Sequence, residues 1–413
     1  MRGVAPLAAL VVLLVFFVGP AQAATTFVQD QRVNSLTLSY TTDTFATSNA
    51  FGGAIVGTVA QNQIATGISN GVADGSISWM FEMEGLTDLS GTNDASFNVG
   101  ILTPAPVAGN GYDGTSDLDW WYSPDASQFN LDGTAKEHLS ASFTNGALSA
   151  GPGNLVLPIN FAGATVPLTL SDVQIQATTG ASSTPLSSSG SPPGHLASEH
   201  VDPNLTSFGS MSAGKLTGNI SAGSLAAVNV PSGLTGTACN NIYTAANTLL
   251  DVFVSGCKAF GLVDEIKPTQ PDTVTGTGTG TYKFTAGQNH AVTGCTHNNV
   301  AATLSDCLAG AAYSGYFKFT TDRVIDQLKM ADGKVLAVKL GGLGSGSVSG
   351  PGIDCGSDCG EPYDAGTEIQ LTASATGKSH FAGWTGCDSP SGTTCTMTMD
   401  ADSPAGGAAL VLG

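Results

Sequence analysis

Ile77-Ser-Trp-Met-Phe-Glu-Met-Glu84 sets Ile77, Trp79, Phe81 and Met83 on one side of an extended chain and Ser78, Met80, Glu82 and Glu84 on the other. A period of two over large apolar residues marks a strand with one face in a core. The other face is expected to look largely to water. Shorter copies of the pattern recur: Leu36, Leu38 and Tyr40 share a face, and 96–102, 155–159, 166–170 and 173–177 are bounded by Gly, Pro, Asn or Asp. Several short strands without long helical stretches between them predict an all-β or mainly β protein with a few helices. Its main region is expected to be an antiparallel sandwich or jelly roll.

Residues 180–194, rich in Ser, Pro and Gly, have almost nothing to bury and read as a loop or linker. It divides a sandwich-like region, 24–179, from a second β-rich region, 195–340, which is either separate or continuous with the first. The second region contains one helical pattern at 242–260, with Ile242, Ala246, Leu249 and Phe253 near one stripe. Strands are expected at 281–284, 316–319 and 335–340. The Gly-rich run 341–350 marks a boundary, after which 341–413 forms a small module of its own.

The first 23 residues carry Arg2, an apolar run over 7–18 and the small-residue exit Ala21-Gln22-Ala23, the pattern of a secretory signal peptide. The apolar run is short for a membrane span and lacks a positive flank on its polar side, so the expected mature protein is secreted or held at an outer cell surface by contacts, without a transmembrane anchor. Thirteen Lys and Arg against 32 Asp and Glu give a formal charge of -19. Such a surface repels polyanions, which disfavours nucleic acid and anionic membranes as partners.

Export changes how the cysteines read. All eight, Cys239, Cys257, Cys295, Cys307, Cys355, Cys359, Cys387 and Cys395, lie in the rear of the chain. An even number in an oxidising compartment favours disulfides, although eight cysteines admit 105 complete pairings. Sequential pairing is preferred. Its weakest step is Cys239 to Cys257, because a straight helix of the intervening length would hold them roughly 27 Å apart. Crossed pairing with Cys295 and Cys307 stays open. A four-thiolate zinc site is the alternative in the tail, but the spacing lacks paired C-x2-C knuckles.

Glu82 and Glu84 would stand roughly 6–7 Å apart along a strand face. Two such carboxylates are the equipment of a glycoside hydrolase, as acid and base or as acid and nucleophile. Two carboxylates on an exposed strand face are usually plain solvated side chains. The most aromatic segment is Asp117-Leu-Asp119-Trp120-Trp121-Tyr122. Consecutive rings cannot all enter one core from a strand, so one of them is free to stack on a sugar, with Asp113, Asp117 and Asp119 taking hydroxyls or calcium. The plain alternative puts Trp120 and Tyr122 in the core and lays Trp121 along the surface. No complete calcium loop is present, and no other cofactor is expected. His195, Glu199, His200 and Asp202 lack metalloprotease spacing, and His290 and His297 flank a cysteine with an expected disulfide role. Asn204 and Asn219 match glycosylation acceptors in form only.

The tail has the most specific order: Gly346-Ser-Val348, Gly352-Ile-Asp-Cys355, Cys359, Tyr363, Gly366-Thr367, Ile369-Gln-Leu371-Thr-Ala373, Phe381-Ala-Gly-Trp384, Gly386-Cys387 and Cys395-Thr-Met397-Thr-Met399. Over roughly 342–411 it resembles the divergent internalin-B-type B-repeat of secreted and surface bacterial proteins. The resemblance implies an accessory exported β module with no catalytic group to carry over. From the residues alone, Ile369, Leu371 and Ala373 alternate, as do Met397 and Met399, and Trp384 is placed to cap a core too small to stand without cross-links.

The leading functional expectation is a non-catalytic bacterial β protein, structural, adhesive or binding, with a glycan or other cell-surface component as partner. A glycoside hydrolase using Glu82 and Glu84 is the second reading. A calcium-dependent carbohydrate-binding or adhesion protein is the third.

Overall fold

The stretch 77–84 enters β2 (Met80–Glu84), whose two edges pair antiparallel with β1 (Gln29–Leu38) and β3 (Asp94–Leu102). The computed structural model describes 29–107, 120–130, 133–161, 164–181, 186–187, 196–197, 207–230, 243–259 and 263–412. Within these, 59, 245, 277–278, 327–332, 343, 356–358, 365 and 400–408 fall outside the description. From β3 the chain continues as a meander through β4 (His138–Thr144), β5 (Ala147–Phe161), β6 (Ala164–Gly180), β7 (Ser210–Ser221) and β8 (Ala311–Asp326). β8 then pairs antiparallel with β1, Leu36 opposite Phe319 and Leu38 opposite Phe317. The eight strands form a closed antiparallel barrel.

The mainly β class, the antiparallel pairing and the few helices are therefore present, but the main architecture is one closed sheet rather than two stacked ones. Closure removes the open edges that sandwiches must protect. The strands on both sides of 180–194 belong to the same barrel.

One buried cluster draws apolar side chains from all eight strands, including Leu36, Phe81, Val99, Phe143, Ala150, Ile175, Leu216 and Phe319. A set contributed by every strand of a closed barrel can converge only in its interior. Phe81 meets Phe319 edge-on at 5.3 Å between centroids, and Trp79 meets Phe317 at 6.4 Å. Between them the outward positions are polar: Ser140 and Thr144 on β4 and Gln174, Gln176 and Thr178 on β6 are all exposed. A lipid-facing barrel would place apolar residues there.

Among the described residues, two insertions that carry α-helices sit between strands of the meander. Between β1 and β2 lie α1 (Ala50–Ile55), capped by Asn49, and α2 (Ala60–Ala73), which buries Ile64, Ile68 and Val72 at a spacing of four. Between β7 and β8 lie α3 (Ala222–Ala226), α4 (Leu249–Ser255), a three-stranded sheet over Tyr282–Ala286, Val292–His297 and Val300–Ala302, and α5 (Leu304–Gly310). α4 is much shorter than the apolar stripe over 242–260 suggests. Thr248 and Asp251 form a capping box at its start, and Gly256 at φ 62° ends it.

Cys295 bonds Cys307, tying the three-stranded sheet to α5. In the tail Cys355 bonds Cys359 and Cys387 bonds Cys395. These three pairs follow sequential pairing, and they use the tail thiols in disulfides rather than a zinc site. Cys257 is also disulfide-bonded, while Cys239 lies outside the described residues.

The tail module has its own buried cluster around Leu336, Val348, Leu371 and Met399. Glu368–Ala375 alternates as its sequence requires, with Ile369, Leu371 and Ala373 buried. Trp384 is half-buried against this cluster and meets Phe381 edge-on at 5.5 Å. The module reaches back beyond the Gly-rich junction, since Gly333–Ala337 pairs with Gly360–Asp364 and Lys339–Gly342 pairs with Ala409–Leu412.

Candidate functional site

Because Phe81 and Met83 point into the barrel, Met80, Glu82 and Glu84 fall on its outer wall. The same register brings further charged residues to that wall. Asp30 stands opposite Glu82 on one side and Val324 on the other, and Arg32 stands between Met80 and Asp322. The wall is not wet. Asp30, Arg32, Glu82, Asp322 and Asp326 are all less than 5% exposed.

The described parts of the connection between β3 and β4, 103–107, 120–130 and 133–137, cover them. There Ala105–Pro106 pairs with Trp121–Ser123, and the latter runs parallel to the end of β8, Trp121 beside Ile325 and Tyr122 beside Asp326. Tyr122, Phe129 and Ala135 close over Met80, Leu102 and Val324 in a small apolar cluster. The Arg32 guanidinium lies 5.3 Å from the centre of the Tyr122 ring and donates to the carbonyl of Val72 at the end of α2. Asp30 Oδ2 accepts from the Asp326 N–H at 3.2 Å. Glu84 Oε1 accepts from the Ala135 N–H, fastening the cover to β2. Gly100, opposite Glu82, makes room: a Cβ there would sit 2.8 Å from that of Ala135.

The structure thus gathers the two regions singled out by sequence, Glu82 with Glu84 and Trp120 with Tyr122, but as a sealed layer. Glu82 does not face water, contrary to the expected polar face of β2. Alternation says which residues share a side, whereas the cover decides whether that side is wet. Trp120, Trp121 and Tyr122 are 3%, 0% and 0% exposed, so none of the three rings is presented for stacking on a sugar. Pairing of Trp121–Ser123 with β8 puts neighbouring rings into buried surroundings on both sides of a strand, which one core could not do. Asp113, Asp117 and Asp119 lie outside the described residues, as do His195, Glu199, His200, Asp202 and Asn204.

Elsewhere, His297 stacks on Tyr282 at 4.4 Å with Nε2 2.7 Å from the Thr279 carbonyl, and His290 tilts against Tyr243. Burial raises the Tyr243 hydroxyl, with Asp251 adding to the rise. Asn219 donates to Asp172 across the barrel surface. Among the described residues no group of three or more His, Cys, Asp or Glu is arranged to hold a metal.

Asp30, Arg32, Asp322 and Asp326 escaped sequence reading. Their signal was present: Gln29-Asp-Gln-Arg32 and Thr321-Asp-Arg-Val-Ile-Asp326 put charge inside strand-like runs of a chain only 11% charged. Charges in such runs belong to an exposed face or to a paired interior, and only the partner strands decide between them. No family model, curated protein or solved structure matches the chain.

Proposed function

We propose that the chain is an exported, non-catalytic β protein of a bacterial outer surface, structural, adhesive or binding in role. In this reading the barrel is a rigid carrier and the tail a spacer or binding module, in keeping with its resemblance to the B-repeat. One observation carries it: the carboxylates best suited to acid–base work are closed off, Glu82 by burial and Glu84 by its bond to the Ala135 backbone. A glycosidase acid and nucleophile must reach both sides of a scissile bond. These two would first have to shed the cover formed by Trp121–Ser123, Phe129 and Ala135. The disulfides suit an oxidising compartment, and among the described residues no helix is long and apolar enough to cross a membrane.

The test combines location with activity. Fractionation of cells making the full chain is expected to find it outside, oxidised and shortened near Ala24. Purified protein added back to cells is expected to be retained without releasing reducing ends from surface polysaccharide. Reducing-end release that disappears in Glu84→Gln would replace this reading with the hydrolase.

A further inference from the structure

The barrel's outer wall carries a second feature, away from the sealed layer, which is open to solvent. Both neighbours of β8 are bulged: β1 between Val33 and Ser35, and β7 between Met211 and Gly214. Between the bulges lies a groove of about 350 Å³ whose rim includes Ser35, Thr37, Lys215, Lys318 and Thr320. Its base is backbone, the bulge at Ala213–Gly214 beside Phe319, whose ring turns inward to the barrel core.

The charge in this groove runs against the rest of the molecule. In a chain with 13 basic and 32 acidic residues, Lys215 and Lys318 are direct cross-strand partners. Like charges placed opposite each other in a sheet destabilise it. Lysines guard exposed sheet edges in many proteins, but β8 is paired on both sides and has no edge to guard here. Asp43 answers only one of the two: its Oδ2 is 2.9 Å from Lys215 Nζ and also accepts from the Tyr316 hydroxyl at 2.8 Å. Its Oδ1 takes the N–H groups of Phe45 and Ala46. Lys318 is exposed; its carbonyl accepts from the Thr37 hydroxyl, while its ammonium has only the Tyr316 ring, at 5.6 Å, among its described contacts. The groove is therefore left with one uncompensated positive charge, next to hydroxyls and the backbone bulge at Ala213–Gly214.

We propose that this groove binds a single carboxylated sugar unit, a uronic acid, with its carboxylate on Lys318. Its hydroxyls are met by Ser35 and by the acceptor oxygens of Thr37 and Thr320, whose own protons go to the Lys318 carbonyl and to Asn34 Oδ1. One free charge suits a monoanion, and the overall charge of -19 disfavours a long polyanion. Volume agrees, since sites for small ligands begin at about 300 Å³. The proposal deepens the binding role above and names its ligand class.

The test titrates the full-length oxidised protein with glucuronate, glucose and acetate, read by NMR shifts or calorimetry. Glucuronate is expected to saturate, to weaken as salt rises and to bind at least about tenfold tighter than either control. Lys318→Gln is expected to weaken it by about tenfold or more while raising the melting temperature, because the variant removes the like-charge pair. Thr37→Val is expected to weaken glucuronate more than acetate. Equal binding of acetate and glucuronate, or glucuronate binding unchanged in Lys318→Gln, overturns the proposal. Either result leaves the exported, surface-binding role standing, because location and cell retention are read separately.

Discussion

The barrel and the tail module solve the same problem by opposite means. In the barrel, eight strands close on themselves, and rings such as Phe81, Phe143, Phe317 and Phe319 fill the interior with no cysteine on any barrel strand. The tail has a smaller apolar cluster in which Cys355 and Cys395 are themselves fully buried. Sheet closure needs a long chain but supplies burial from every side. A short chain lacks that area and relies on covalent restraint of its unfolded state. The disulfide between Cys295 and Cys307 fits the contrast, since it lies in the insertion rather than on the barrel strands.

The sharpest way to break this comparison is to empty the barrel. Phe319→Ala should cost about 3–5 kcal/mol in urea unfolding and leave the tail transition in place. A shift of both transitions together would show that the two regions fold as one unit. Next, replacing Cys387 and Cys395 together by Ser should cost the tail about 2–4 kcal/mol and leave the barrel transition unmoved. Non-reducing and reducing calorimetry of the parent chain should show the same asymmetry.

A smaller effect tests the cover, which belongs to the barrel wall yet packs like a core. Gly100→Ala should cost about 1–3 kcal/mol by overpacking, and it should expose the cover around 120–130 and 133–136 to limited proteolysis before the barrel itself unfolds. Equal protease resistance in parent and variant would mean that the cover does not depend on the close approach at Gly100.

The smallest expected effect is electrostatic. The Ala46 backbone N–H, then Lys215 and Tyr316, hold the Asp43 carboxyl below its ordinary value of 3.8. A depressed folded value means that this contribution is present above 3.8 and fades as pH falls below it. Desolvation, then the bond to Asp43, pushes Tyr316 up from 10.0 to about 12. A raised folded value means that its contribution is present below 10.0 and is lost as pH rises through about 12. Asp43→Asn should flatten the acid limb of a stability–pH curve for the barrel and leave that of the tail unchanged.

Much of this contrast was readable in advance. The inward face of β2 followed from the spacing of Ile77, Trp79, Phe81 and Met83, and the buried side of Glu368–Ala375 from Ile369, Leu371 and Ala373. The three tail and insertion disulfides followed from order along the chain. The candidate site was harder. Glu82 and Glu84 were visible as a same-face pair, but Asp30, Arg32, Asp322 and Asp326 reach them only through pairings of β1 with β2 and β8. The helix at 249–255 was placed but overextended, because a stripe of apolar residues does not show where a capping box begins it.

The amino-acid order by itself determined the strand periodicity, the low charge with its acid excess, and the concentration of cysteines behind residue 238, since each is a local property of neighbouring residues. Tertiary structure alone decided that the sheet closes, with Thr37 and Lys318 bonded across 281 positions of chain. It also decided that the outer wall of β2 is dry and that two lysines face each other in a groove. The physical reason is that alternation fixes which side chains share a face. What that face meets depends on strands hundreds of residues away.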